Sequence, residues 1–211
     1  MLGVEGMDFL DRMVNASKRM QMLIKNLLAF SRFSTTDDSQ QDTNLNTLLD
    51  GVLSDLEIQI EQKNASFSIG ELPTLSVIPS QFRQLFQNLI INALKFCKDE
   101  SAPQIAVYAE KIKGIQIPGL DSHSFNEEFF RIYVKDNGIG FDPQYADQIF
   151  TVFKRLHSFD KYEGTGIGLS ICKKIVEKHH GFIAAEGQTG KGATFIITLP
   201  SKKKEIATLP A

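Results

Sequence analysis

Two glycine-rich segments constrain this chain more than any other feature. Asp136-Asn137-Gly138-Ile139-Gly140 closes a strand-like run, and Gly164-Thr165-Gly166-Ile167-Gly168-Leu169 opens a helix-like one. Glycine lets the backbone take φ > 0 and approach a ligand closely. Backbone N–H groups at a helix start bind phosphate. One such loop alone is no more than a tight turn. A strand exit that offers a carboxylate, followed by a helix entry, reads as two walls of a nucleotide pocket.

At 211 residues, 42% of them apolar and 23% charged, the chain can bury one good core plus an appendage. A net charge of -2 excludes a bulk electrostatic nucleic-acid binder, and Lys202-Lys203-Lys204 reads as a solvated tail. Cys97 and Cys172 lie far apart in helical patterns and read as buried thiols of a reducing cytosol. No apolar run approaches the roughly 20 residues that span a bilayer, and no signal-peptide pattern opens the chain. The expectation is a cytoplasmic protein with no membrane segment in this chain.

Residues 8–32 carry one long helical pattern. Phe9, Met13, Ala16, Met20, Leu23, Leu27 and Phe30 alternate spacings of four and three, a heptad seam. Leu10, Ile24 and Leu28 widen it towards a helix-bundle face. The apolar face of this helix, about 37 Å long, predicts a partner from another chain or segment. Ser34 to Asn44 is polar and reads as a linker.

The texture then becomes mixed α/β. A helix is expected over Leu45–Lys63, short strands at Ala65–Ile69 and Leu75–Ile78, and a helix to Cys97 with Ser80 as N-cap. Strands follow at Gln104–Lys111 and Phe129–Lys135, joined by an excursion over Gly114–Glu128. A short helical piece near Gln144–Phe153, a helix over Gly166–His180, and strands at Phe182–Glu186 and Ala193–Leu199 complete the domain. His179-His180 ends its helix before Gly181, where an imidazole suits the helix dipole.

Asn88, Asn92 and Lys95 lie at i, i+4 and i+7 and share a helix face. Two carboxamides and an ammonium suit Mg²⁺ and a triphosphate, because amide oxygens ligate hard cations and Lys neutralises phosphate.

Asn88-Leu89-Ile90-Ile91-Asn92-Ala93-Leu94-Lys95-Phe96 resembles the N box of sensor histidine kinases, and Asp136 to Gly140 their first glycine box. Ile149 to Leu156 resembles the F box, Gly164 to Leu169 the second glycine box, and Gly190 to Phe195 the third. The long helix, especially Arg19-Met20 through Arg32, resembles the second helix of the kinase dimerisation hairpin. Phytochrome-type kinases look closest in texture.

The resemblance implies a two-layer α+β sandwich, a mixed and largely antiparallel sheet with helices on one face, behind one long helix. It divides the chain into a partial hairpin (1–33), a linker (34–44), an ATP-binding catalytic domain (45–200) and a tail (201–211). It implies ATP and Mg²⁺ as cofactors, with Asp136 accepting from the adenine amino group and so selecting ATP over GTP. Thr194 would assist through water and Phe96 would pack on the base. Asn92 would ligate Mg²⁺, with Asn88 and Lys95 near the phosphates. Gly138 and Gly140 would admit the nucleotide, and Gly164, Thr165, Gly166, Gly168 and Leu169 would cradle phosphate. Phe141–Glu163 would form a mobile lid from which Lys154 or Arg155 reaches the γ-phosphate.

Related ATPases that hydrolyse ATP carry Glu at the position of Asn88. An amide is a poor base there, so transfer to a protein nucleophile is expected over hydrolysis. Family members phosphorylate a histidine on the first hairpin helix, and none of His123, His157, His179 or His180 has that setting. The chain therefore reads as a piece that retains the catalytic domain, with its acceptor elsewhere and no self-phosphorylation. Its expected partners are a second copy through the N-terminal helix, the histidine-containing hairpin and a response regulator. Two other readings stand beside this one: a serine kinase of the anti-sigma-factor type, and a nucleotide-sensing dimerisation module without transfer.

Overall fold

The computed structural model describes residues 39–156 and 165–202, together with scattered positions between 6 and 21. Those scattered positions are helical. Phe9, Met13 and Met20 of the expected seam are exposed, whereas Leu23, Leu27 and Phe30 lie outside the described residues.

Strand β1 (Gln41–Asn44) leads into helix α1 (Leu45–Asp55), whose N-cap Asn44 accepts a hydrogen bond from the Thr47 N–H at 3.0 Å. The polar stretch read as linker thus ends before Gln41. Its last four residues pair antiparallel with β3 (Thr74–Val77), an edge pairing that needs no apolar alternation to form. Leu45, Leu48, Leu49 and Val52 bury one face of α1. The single helix expected over Leu45–Lys63 breaks at Leu56 (φ -103°, ψ 6°), and a two-turn helix α2 (Glu57–Gln62) follows.

Five strands form the main sheet: β2 (Ser66–Ile69), β4 (Gln104–Lys113), β5 (Glu128–Asp136), β6 (Phe182–Gln188) and β7 (Gly192–Pro200), in the order β2-β4-β5-β7-β6. Only β2–β4 is parallel. Strand alternation sends Ile105, Val107, Ile132, Val134, Phe195 and Ile197 into one core with the helices. The opposite face carries the stacked pair Tyr108 and Tyr133, with Tyr108 40% exposed. The two-layer sandwich with helices on one face is therefore as expected. At one end of the open face, Ile112, Ile117 and Phe129 form a small second cluster under the 114–127 excursion.

Helix α3 (Pro79–Lys95) and helix α4 (Gly168–Lys178) are the inner helices. Phe82, Leu85, Phe86, Leu89 and Ile90 are fully buried, and removing one such Phe costs about 3–5 kcal/mol. Pro79, not Ser80, begins α3: its fixed φ suits the first helical position, so Ser80 is a helical residue rather than the N-cap. The two helices run antiparallel. Ile78 meets His179, Leu85 meets Cys172, and Asn88 meets Gly168.

His179 corrects the dipole reading. It is 4% exposed, Nε2 accepts from the Ile78 N–H at 3.0 Å, and Nδ1 lies 2.7 Å from the Ile175 carbonyl. A backbone N–H can only donate, so Nε2 keeps its lone pair and Nδ1–H donates to Ile175. Burial pushes the pKa of His179 down. The ring is a neutral bridge, not a cation at a helix end. His180 occupies the left-handed position (φ 57°) of a closing motif in which Gly181 N–H reaches Val176 O and His180 N–H reaches Glu177 O.

Candidate nucleotide site

Strand β5 ends on Asp136, and that residue organises the site. Its Oδ1 accepts from the Gly138 N–H at 2.8 Å and the Ala193 N–H at 3.2 Å. Both bonds fall on one oxygen, which leaves Oδ2 for another donor. Asp136 is 9% exposed and borders a cavity of about 780 Å³, within the range that holds a small ligand. Burial raises its pKa against the two backbone bonds, which lower it.

One helix face, the segment after β5 and one helix start line the cavity with this carboxylate. From α3 and its C-cap come Gln84, Asn88, Ile91, Asn92, Lys95 and Phe96; from the segment after β5, Gly140, Phe141, Ile149, Lys154, Arg155 and Leu156. Thr165, Gly166, Gly168 and Leu169 also line the cavity. Asn88 Nδ2 donates to Gly168 O at 3.3 Å, tying α3 to the start of α4. The first N–H groups of any helix have no intrahelical acceptor, so α4 presents donors where Gly168 and Leu169 meet the cavity. Lys95 Nζ sits 4.3 Å from the Phe96 ring centroid, placing a cation over one aromatic face.

The structure brings most of the expected residues together. Asn88, Asn92, Lys95, Phe96, Asp136, Gly140, Lys154, Arg155, Thr165, Gly166, Gly168 and Leu169 all line the cavity. Gly164 lies outside the described residues.

Two assignments change. Thr194 does not face the cavity: its neighbours Ala193 and Phe195 do, and strand alternation turns Thr194 to the open face beside Lys135 and Glu186. Gly138 does not line it either. A Cβ at Gly138 would strike the Phe96 carbonyl, and Ile139 N–H donates to that carbonyl at 2.9 Å. Gly140 (φ 62°) likewise faces backbone, because its Cβ would strike the Gln188 and Gly192 carbonyls. These glycines let the loops pack on one another, not only on a ligand.

The lid reading also narrows. Phe141, Ile149 and Phe150 are buried core residues, and Phe150 meets Phe195 edge to face at 6.5 Å. Single 3-10 turns at Pro143–Tyr145 and Gln148–Phe150 replace the helical piece. Residues 157–164, His157 among them, lie outside the described residues.

Sequence reasoning missed the apolar lining of Phe141, Ile149, Leu156, Ile171 and Phe195, whose strand and helix periodicity marks only core. It also missed Gln84, which extends the Asn88–Asn92 face by one turn, and Gln59, Gln62 and Lys63 of α2. Cys172 is buried beside Leu85, its thiol pushed up to about 12, and is inert there. Cys97 is only partly buried and follows α3.

Residues 78–203 match the family of histidine kinase-, DNA gyrase B-, and HSP90-like ATPases. The chain belongs to that family. Within it, the chain is 41% identical over 204 residues to Cyanobacterial phytochrome A of Nostoc sp. strain PCC 7120, covering 97% of this chain and 25% of the relative. It is 36% identical over 199 residues to Phytochrome-like protein Cph1 of Synechocystis sp. strain PCC 6803, covering 94% and 25%. It thus spans about a quarter of the length of these curated relatives. The catalytic domain of histidine kinase ThkA superposes with a TM-score of 0.60 at 25% identity, covering 78% of this chain and 97% of that one. Full-length ShkA, solved with AMPPNP, gives 0.68 at 22% identity, covering 95% and 40%, a likeness of fold. The ATPase match begins at Ile78, so it includes α3, α4 and every glycine loop but neither α1 nor α2. Among the described residues no helix is long and apolar enough to cross a membrane.

Proposed function

We propose that this chain binds ATP and Mg²⁺ as the catalytic part of a sensor histidine kinase. The γ-phosphoryl group passes to a histidine outside this chain and then to a response-regulator aspartate. The observation that carries the reading is Asp136, held by Gly138 and Ala193 through one oxygen and lining one cavity with Asn88, Asn92 and Lys95. Oδ2 would accept from the adenine amino group, and a guanine carbonyl there would face a buried carboxylate without a proton to share.

The residues fit a divalent metal ion and phosphates. Asn92 offers an amide oxygen suited to a hard cation, and Lys95, Lys154 and Arg155 supply positive charge. Mg²⁺ would neutralise charge on the transferred group. The α4 N–H groups would orient the phosphate tail. Asn88, whose amide is engaged with Gly168, cannot take a proton from water, which favours transfer over hydrolysis.

Among the described histidines, His179 is the one whose ring is closed to phosphorylation. His179 spends both ring nitrogens on backbone, and His123 sits in a 3-10 turn capped by Asp121. Exposed Phe9, Met13 and Met20 support a homodimer through the N-terminal helix, with 1–33 as part of a hairpin. ThkA has been solved with the response regulator TrrA, which supports a response regulator as the downstream partner. We place the whole assembly in the cytoplasm.

The test uses Asp136→Asn, which keeps an oxygen for Gly138 and Ala193 but offers the ligand a donor. ATP affinity by calorimetry should fall more than about a hundredfold; unchanged affinity removes the assignment. Because the folded pKa of Asp136 is raised, its ionised form costs stability above that pKa. The Asn variant should therefore be the more stable at neutral pH, with the advantage lost below the ordinary carboxylate range. Labelled ATP should mark an added histidine-containing hairpin and leave this chain unlabelled.

A further inference from the structure

One wall of the cavity comes from outside every glycine loop and every motif. Helix α2 and its C-cap residue line it with Gln59, Gln62 and Lys63, at i, i+3 and i+4, so all three share a face. Two carboxamides and an ammonium repeat the chemistry of Asn88, Asn92 and Lys95 on α3. Ile60 of α2 packs against the core and anchors the helix there. The helix closes just after Lys63: Asn64 turns left-handed (φ 50°), its N–H donates to Glu61 O at 3.0 Å, and Ala65 N–H donates to Ile60 O at 3.0 Å. That closure fixes the backbone from which Lys63 projects.

Charge points the same way. The chain carries 23 basic and 25 acidic residues, yet among the described residues the cavity lining holds Lys63, Lys95, Lys154 and Arg155 against a single acid, Asp136. A cleft lined by one sign of charge concentrates ligands of the other sign. Lys63 borders the same cavity as Lys154 and Arg155, yet it lies in a segment the ATPase family match does not include.

We propose that α2 is a nucleotide-binding wall in which Lys63 contacts the phosphate chain of the bound nucleotide. This rests on the ATP reading above and adds a contact that the family motifs do not supply.

The experiment measures adenosine, ADP and ATP affinity by calorimetry on the full 211-residue chain, comparing wild type, Lys63→Gln, Lys63→Arg and Asp136→Ala. Lys63→Gln should weaken ADP and ATP about three- to tenfold, leave adenosine unchanged, and lose its effect at high salt. Lys63→Arg should restore most of the affinity. Unchanged ATP affinity in Lys63→Gln overturns the proposal, and so does an equal loss for adenosine and ATP. Asp136→Ala separates the two levels. If it binds as tightly as wild type, or if wild type binds no nucleotide, the ATP reading itself fails. If Asp136→Ala abolishes binding and Lys63→Gln does not weaken it, only the α2 wall falls.

Discussion

Helices α3 and α4 are joined by a polar tie at each end, and the two ties are built to opposite purposes. At one end, His179 is buried, spends both nitrogens on backbone, and lies edge-on to Phe82 at 4.9 Å. At the other end, half-buried Asn88 gives one N–H to Gly168 and borders the cavity. The first tie is saturated and dry, so it sets how the helices pack. The second borders the cavity, so its amide lies within reach of a ligand. One helix pair thus carries a structural end and a chemical end about three turns apart.

The largest effect should come from removing the dry tie. His179→Ala strands the Ile78 N–H and opens a void beside Phe82, so urea unfolding should show a loss of about 2–4 kcal/mol. The ATP affinity of the folded fraction should not change. If affinity falls instead, the two ends are coupled and the division between them is wrong. Asn88→Ala should do the reverse: about 1 kcal/mol or less of stability, but at least about a tenfold loss of phosphoryl transfer to a supplied hairpin. Equal losses in both variants would erase the contrast.

Acid should sharpen it further. The folded pKa of His179 is lowered, so the unfolded chain takes up its proton first as pH falls. Stability from this tie is full above the ordinary histidine range and declines below it, down to the folded pKa. His179→Gln should flatten that decline in thermal melts measured across the window; an unchanged slope assigns the acid sensitivity to another group. The smallest effect belongs to the neighbouring residue. His180→Gly relieves a left-handed side-chain residue and should add about 0.5–1 kcal/mol, with no change in nucleotide affinity.

The chemical end was more legible in the sequence than the dry end. Asn88, Asn92 and Lys95 announce themselves by helical spacing, and the glycine loops by composition. The sheet and its order of elements follow from alternating runs that end on turn residues. His179 was unreadable because its role depends on Ile78, 101 residues away, and no local pattern encodes a ring wedged between two backbones. Thr194 lies off the cavity lining through strand phase: a shift of one residue exchanges the faces, and Ala193 and Phe195 take the cavity side. The α2 wall was hidden because Leu45–Lys63 was read for its apolar stripe, and a break at Leu56 re-aims everything after it. Strand β1 escaped for want of alternation.

The interlocked glycines alter what a mutational survey of this domain would report. Side chains at Gly140 or Gly192 collide with carbonyl groups of neighbouring loops, so such variants lose folded protein before they lose chemistry. Screened by signalling output alone, both positions would score as catalytic. Scored for cellular abundance as well, they should separate from Asn92 and Lys95, whose variants persist at normal levels while falling silent.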